Sequence, residues 1–143
     1  MDSLGLVYIA GFFDGEGSVT IHENGGPSPR GKNPNHTLQV SIGNTDPRIL
    51  RLLYTEFGGS LTLRQNTKPN HRDVYQWIIR AAKALPFLEA IEPFVEMKRE
   101  QVIIALAFQR SKKLGNKPVS VEVLQWREEQ RQTIRNLNSE QKV

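Results

Sequence analysis

The chain has 143 residues, of which 38% are hydrophobic, and its 19 basic and 15 acidic residues give a net charge of +4. That size suits one domain with a buried core, and the absence of cysteine excludes disulfides and thiolate metal sites. The longest apolar run, residues 4–13, is shorter than the roughly 18 residues of a membrane span and is followed by acids, so we expect neither a membrane segment nor a secretion signal.

The first predicted element is a helix over this apolar run, which ends at two acids, Asp14 and Glu16, and opens directly into a strand. Gly11 and Gly15 lie four residues apart, so they share one helix face and leave a strip of bare backbone that lets a second helix approach closely. If that helix belongs to a second copy, the two Glu16 carboxylates lie side by side, as in sites that hold divalent cations. The alternative interpretation is a buried N-terminal helix that ends at a glycine-rich segment.

A long-looped β-hairpin follows, with strands over residues 18–23 and 37–44. Apolar and polar residues alternate in both strands, which predicts one face against the core and one polar face. The loop between them is rich in glycine and proline and carries Arg30 and Lys32 at its tip. A polar strand face is usually only solvated, but a ribbon that contacts bases in a DNA groove needs the same residue types. The polar positions are Ser18, Thr20, His22, Asn24, Thr37, Gln39 and Ser41.

A second helix is predicted over residues 46–57, with Asp46 as N-cap and Pro47 at the first helical position. Gly58 and Gly59 end it. Two more strands are predicted, over residues 60–66 and 74–80. The inward positions are Leu61, Leu63, Tyr75, Trp77 and Ile79, and the outward ones are Thr62, Arg64, Asn66 and Gln76, with Arg72 near the start of the last strand.

The rest of the chain is predicted to be helical, over residues 83–91, from near residue 97, and over residues 121–137, with a frayed tail over 138–143. The inward positions should be Val102, Ile103, Leu106 and Ala107 in the middle helix and Val123, Leu124, Trp126, Ile134 and Leu137 in the last. Candidates for phosphate contacts are Arg30, Lys32, Arg64, Lys68 and Arg72, with Lys112, Lys113 and Lys117 in a basic loop over residues 111–118.

The element order αββαββα, with an extra C-terminal helix, predicts an α+β fold. We expect a four-stranded antiparallel sheet with the helices on one face. We assign the whole chain, 1–143, to a single domain, with a core over about 4–110 and a C-terminal helix over about 121–137. No internal repeat is visible, and the segment that combines glycines with two acids occurs once.

The segment IAGFFDGEG, residues 9–17, followed by an alternating strand, resembles the signature of the LAGLIDADG homing endonucleases. The resemblance covers most of the chain and implies a half-saddle whose concave sheet lies on double-stranded DNA. Members with one signature per chain work as homodimers, so a homodimer on a long, nearly palindromic site is expected here. Gly11, Asp14 and Gly15 would then lie at the dimer interface.

The resemblance also implies which residues form the catalytic and metal-binding site. Glu16 matches the metal-binding acid, Gly15 offers a backbone carbonyl to the metal, and Asp14 matches an acid that is usually structural. The implied cofactor is Mg²⁺, with Mn²⁺ or Ca²⁺ able to occupy the site. The other expected catalytic residues are Asn44, which would position water and metal, Arg48, which would contact the cleavage centre, and Lys98, which would aid hydrolysis.

Plainer interpretations exist for some of these residues. Arg48 and Lys98 could be solvated helix residues. His22 is expected to contact a base or a phosphate rather than a metal, because no second histidine stands near it.

The activity expected is therefore site-specific, metal-dependent hydrolysis of both strands of DNA. The alternatives are an RNA-splicing maturase with intron RNA as partner, a non-cleaving DNA-binding protein, and a protein-interaction domain that only dimerises. The intact acids Asp14 and Glu16 argue against a non-cleaving DNA-binding protein, and the nearly acid-free strand faces argue against a protein-interaction domain. We expect an intracellular location, in an organelle or in a prokaryotic cytoplasm.

Overall fold

A computed structural model describes residues 2–24, 35–65, 67–112 and 120–141. The predicted site residues Arg30, Lys32 and Asn66 lie outside these ranges, as do Lys113 and Lys117. The elements are α1 (Ser3–Glu16), β1 (Gly17–Asn24), β2 (Asn35–Asn44), α2 (Arg48–Phe57), β3 (Ser60–Arg64), β4 (Val74–Arg80), α3 (Ala84–Ile91), α4 (Arg99–Ser111) and α5 (Val121–Glu140), with a single 3₁₀ turn (Ala81–Lys83) before α3.

The four strands form one antiparallel sheet in the order β1-β2-β4-β3. Its register aligns Val19, Val40 and Ile79 in one row across three strands. All three side chains are buried, because residues that stand opposite each other in a ladder point to the same face. The prediction of an α+β fold with a four-stranded antiparallel sheet is confirmed.

The core holds α1 against the sheet through one aromatic cluster. The Phe87 ring of α3 makes edge-to-face contacts with Phe13, Phe57 and Trp77 at centroid distances of 5.7, 5.3 and 5.0 Å. Such pairs add about 0.5–1.5 kcal/mol each beyond area burial. Phe13 lies one residue before Asp14, so this packing fixes the end of the helix that carries both acids.

Two of the predicted inward faces are wrong in part. In α4, Ile103 and Ala107 are exposed, and Ala105 and Phe108 are buried in their place. The sequence of α4 is apolar on more than one side, so its period does not set which side packs inward. In β3, Leu63 lies opposite Tyr75 but is 43% exposed, because β3 is a short strand at the edge of the sheet.

Two predicted helix ends are also corrected. The N-cap of α2 is Pro47 rather than Asp46, and α2 begins at Arg48. The carboxylate of Asp46 accepts a hydrogen bond from the backbone N–H of Arg48 at 3.0 Å. This bond closes a tight local turn before the helix, so α2 begins one residue later than predicted. α5 continues to Glu140, and residues 138 and 141 form hydrogen bonds to distant backbone groups, so the tail is not frayed there.

In α5 only Ile134 of the five expected contacts is fully buried, because the helix is mostly an outer layer. Within the described ranges no helix combines the length and apolar character that a membrane crossing requires.

Candidate active site

The two acids at the end of α1 have different surroundings. Asp14 is half-buried, and its carboxylate oxygens accept the backbone N–H groups of Glu96 at 2.9 Å and Lys98 at 3.1 Å. Glu16 is exposed, and its carboxylate has no hydrogen bond or ion pair in the part of the chain that the structure describes. A carboxylate at the partially negative end of a helix is unfavourable unless a cation joins it. The arrangement makes Asp14 a link to the start of α4 and leaves Glu16 available to a cation.

Lys98 lies at the same helix end, although it is 84 residues from Asp14 in the chain. Its Nζ donates a hydrogen bond of 2.6 Å to the backbone oxygen of Asp14. An ammonium group in this position offsets the partial negative charge of the helix end. The structure therefore brings Lys98 and Glu16 to one end of α1, as the resemblance implies, and the part of Lys98 in hydrolysis stays a prediction.

Asn44 and Arg48 form a second group, at the junction of β2 and α2. Asn44 Oδ1 accepts the backbone N–H of Asp46 at 2.8 Å. Asp46 Oδ2 in turn accepts two hydrogen bonds from the Arg48 guanidinium, at 2.9 Å from Nε and 2.6 Å from Nη2. These hydrogen bonds lower the pKa of Asp46 to about 2. The group lines a cavity of ≈ 430 Å³ against Tyr8 and Phe12 of α1, upstream of Glu16 on the same helix.

The sequence prediction did not include Asp46 among the site residues. The sequence assigned it to the helix cap alone. Its position two residues before Arg48 is the signal that could have found it, because a short acid can reach both the backbone and the side chain of a basic residue at that spacing.

The outer face of the sheet carries the predicted DNA-contacting residues. The register places Ser18 opposite Ser41 and Thr20 opposite Gln39, with Arg80 completing the second row. Neighbouring side chains bond to each other across the strands, Ser18 Oγ to Ser41 Oγ at 2.8 Å and Arg80 Nε to Gln39 Oε1 at 3.0 Å. The other described members of the face are His22, Asn24, Thr37, Thr62, Arg64 and Gln76, with Arg72 exposed just before β4.

Arg80 is a second residue that the sequence prediction left out of the site. Its even spacing from Gln76 in β4 is the signal that could have found it. Lys112, expected among the phosphate contacts, is instead engaged by the fold. Its Nζ bonds to the backbone oxygen of His36 and lies 5.2 Å from the Phe108 ring centroid, and burial lowers its pKa.

The described residues contain one group with the composition of a metal site, Glu23, His36 and Glu128, whose ligand atoms lie within 4.8 Å of one another. A cation already fills it, because the Arg131 guanidinium binds Glu128 at 2.6 Å and Glu23 at 3.7 Å. The group also lies at the far end of β1, roughly 20 Å from Glu16 at about 3.3 Å per residue. We therefore assign it to the attachment of α5 to the hairpin and not to a metal centre.

The outer side of α1 is apolar and uncovered. Leu4, Val7 and Tyr8 are 80%, 48% and 59% exposed. Gly11 and Gly15 continue this side, and a Cβ atom built on either would meet nothing within 4 Å among the residues that the structure describes. The packing of a single chain therefore gives no reason for glycine at these positions. Gly17 differs, since a Cβ atom there would lie 2.2 Å from the Phe13 ring.

Comparison with known proteins places this sequence in a family. Residues 5–92 match the model of the LAGLIDADG-like domain. No curated protein sequence matches the chain.

Solved structures match its fold. A homing endonuclease, I-CvuI, solved in complex with its target in the presence of calcium, is 17% identical over 94% of this chain and 82% of its own, with a TM-score of 0.72. The homing endonuclease I-TnaI is 20% identical over 94% of this chain and 96% of its own, with a TM-score of 0.64. The archaeal intron-encoded homing endonuclease I-Vdi141I, complexed with DNA, is 14% identical over 96% of this chain and 99% of its own, with a TM-score of 0.59.

Proposed function

The chain belongs to the LAGLIDADG-like domain family, and from this premise we propose that it is a homing endonuclease, a site-specific enzyme that hydrolyses both strands of double-stranded DNA. The observation that carries the proposal is Glu16, an exposed carboxylate without a partner in the described chain, at the negative end of α1 and directly before the polar sheet face. An acid in that setting suits a cation beside a bound phosphate.

The active unit is a homodimer paired along α1. The uncovered apolar side of this helix and its two unconstrained glycines support close contact with a second copy. Pairing about a two-fold axis sets the two Glu16 carboxylates near each other and joins the two sheets into one DNA-binding surface. The target is then a long, nearly palindromic site.

The residues at the end of α1 fit a hard divalent cation such as Mg²⁺. The Glu16 carboxylate and the Gly15 backbone carbonyl are oxygen donors of the kind that such ions prefer, and both residues are exposed. When bound, the ion supplies positive charge at the scissile phosphate and acidifies the attacking water. Mn²⁺ or Ca²⁺ could occupy the same donors.

The protein's own groups surround this centre. Lys98, held at the end of α1, adds positive charge where negative charge grows on the phosphate as water attacks. Arg48, which Asp46 orients, lies with Asn44 at the β2–α2 junction, and we assign Arg48 a contact with the cleavage centre and Asn44 the positioning of water. The outer sheet face contacts bases, and exposed Arg64 and Arg72 contact phosphates. Because the substrate is genomic DNA, the protein acts inside the cell.

The experiment is a selection of cleaved sites from a randomised DNA library in the presence of Mg²⁺. We expect one nearly palindromic consensus. The variant Glu16→Gln should bind the selected site within about threefold of the wild-type affinity, but cut it at least about 10²-fold more slowly, because charge stabilisation is lost while the DNA surface is kept. Equal loss of binding and cleavage would show that Glu16 is structural, and a library without cleaved sites would contradict the proposed function.

A further inference from the structure

The last turn of α5 lies against the segment that carries Lys98. Gln141 Nε2 donates a hydrogen bond of 2.8 Å to the backbone oxygen of Met97, which directly precedes Lys98. Asp14 holds the same segment through the backbone N–H groups of Glu96 and Lys98. Residues 96–98 are therefore fixed from two directions, by the end of α1 and by the end of α5.

A buried side chain sets the orientation of Gln141. Gln101, in the first turn of α4, is fully buried, and its Nε2 donates to Gln141 Oε1 at 2.8 Å. The same Nε2 lies 3.5 Å from Asn138 Oδ1. Because the oxygen of the Gln141 amide accepts from Gln101, its NH₂ group must point the other way, toward Met97. The two hydrogen bonds of Gln141 thus require one and the same rotamer.

Asn138 ties this turn to the sheet. Its Nδ2 donates to the backbone oxygen of Val19 at 2.9 Å. β1 is an edge strand of the described sheet, so the backbone groups on its open side have no strand to pair with there. Val19 stands between Ser18 and Thr20, which lie on the outer face proposed to contact DNA. One turn of α5 therefore joins three parts of the fold, namely β1, the Lys98 segment and the start of α4.

A cavity of ≈ 360 Å³ lies where these parts meet. It is lined by Gly17, Ser18, Thr20, Lys98, Asn138 and Gln141. The end of α5 thus forms one wall of the space beside the Lys98 side chain.

We propose that Asn138 and Gln141 are positioning residues that hold Lys98 in place at the end of α1. This inference rests on the proposed function for its effect on cleavage, but the positioning itself is a property of the folded chain. Catalytic groups need placement to within a fraction of an ångström, and displacement by about 1 Å can reduce the rate by about 10²-fold. Loss of the Gln141 amide would release the segment on the side that Asp14 does not hold, and loss of the Asn138 amide would detach from β1 the turn that carries Gln141.

The first experiment needs no DNA and measures hydrogen exchange at the backbone amides of Glu96 and Lys98 in the whole 143-residue chain. We expect Gln141→Ala and Asn138→Ala to speed exchange at both amides by about tenfold, because the segment opens more often. Ser139→Ala is the matched control, since Ser139 is exposed on the same turn and its side chain has no hydrogen bond within the described residues. Unchanged exchange in the two test variants would overturn the proposal whatever the enzyme does.

The second experiment measures single-turnover cleavage of the selected site. We expect Gln141→Ala to slow cleavage by about tenfold or more, with the Kd for DNA changed by less than about threefold. Combined with Lys98→Met, it should cut no more slowly than Lys98→Met alone, because Gln141 acts through Lys98. Effects that multiply would overturn the proposal. A wild-type protein that cuts no site would contradict the proposed function alone and would leave the exchange measurement to decide the positioning.

Discussion

At the scale of single residues, the candidate site depends on which charged groups already have partners. Asp14 is committed to two backbone amides, whereas Glu16 has no partner in the described part of the chain. The two acids therefore have different roles, although one glycine separates them. Asp14 is structural, and Glu16 is available to a cation. Arg48 also has a partner. Its side chain is 84% exposed, but the ion pair with Asp46 holds it in one orientation.

We expect Asp46→Ala to slow cleavage by roughly tenfold or more, because Arg48 loses the group that orients it. DNA affinity should stay the same or rise, since the change removes a negative charge near a phosphate surface. Single-turnover rates and Kd values measured together would separate the two effects.

The control for this prediction is Arg48→Ala, alone and combined with Asp46→Ala. The double variant should cut at the rate of Arg48→Ala, because Asp46 acts through Arg48. A further loss in the double variant would show that Asp46 has an effect of its own.

At the scale of elements, α5 is attached to the rest of the fold near its middle and at its last turn. Near its middle, Glu128 binds Arg131 and the buried His36 of β2. At its last turn, Asn138 and Gln141 bind β1 and the Lys98 segment. A helix that looks from its charges like a solvated outer layer thus connects the two ends of β1 with the candidate site.

We expect acid to weaken the first of these attachments. Hydrogen bonds from Arg131, His36 and Gln132 hold the pKa of Glu128 well below the ordinary 4.5. A carboxyl with a lowered pKa in the folded state contributes stability that is complete above its unfolded pKa and is lost as the pH falls toward the folded value. Between about pH 5 and about pH 3, the wild type should lose more unfolding free energy than Glu128→Gln.

Chemical denaturation at a series of pH values measures this difference. Glu129→Gln is the matched control, because Glu129 is the exposed neighbour on α5 and its carboxylate has no partner in the described residues. It should follow the wild-type pH profile. Parallel profiles for wild type and Glu128→Gln would contradict the expectation.

At the scale of the whole molecule, one chain holds only half of the proposed centre. A single Glu16 and one Gly15 carbonyl supply few ligands, and no metal-like group of three ligands in the described residues includes Glu16. The apolar outer side of α1 offers the surface along which a second copy would complete the site.

We expect Gly11→Ala and Gly15→Ala to weaken the dimer while the single chain keeps its fold. A methyl group at a tight helix contact costs about 1–3 kcal/mol, which is about 5- to 150-fold in the dimer Kd. Within the described part of one chain the same methyl groups meet no atom within 4 Å, and alanine favours a helix over glycine by about 0.5–1 kcal/mol. Sedimentation at a range of concentrations measures the change.

Gly17→Ala provides the contrast, because its methyl group would collide with the Phe13 ring inside the chain. This variant should lower the unfolding temperature as well as dimer formation. Wild-type protein that sediments as a monomer at micromolar concentration, with or without DNA, would contradict the paired α1 helices.

The sequence by itself determined the strands, most of their inner and outer positions and the segment that identifies the family, because alternation and glycine–acid spacing are local patterns that the backbone converts directly into geometry. Only the tertiary structure decided which side of α4 is buried, that Asp14 holds residues 82 and 84 positions away, and that the end of α5 is tied to β1. These features depend on partners distant in the chain, and a local pattern has no information about which distant group will pack against it.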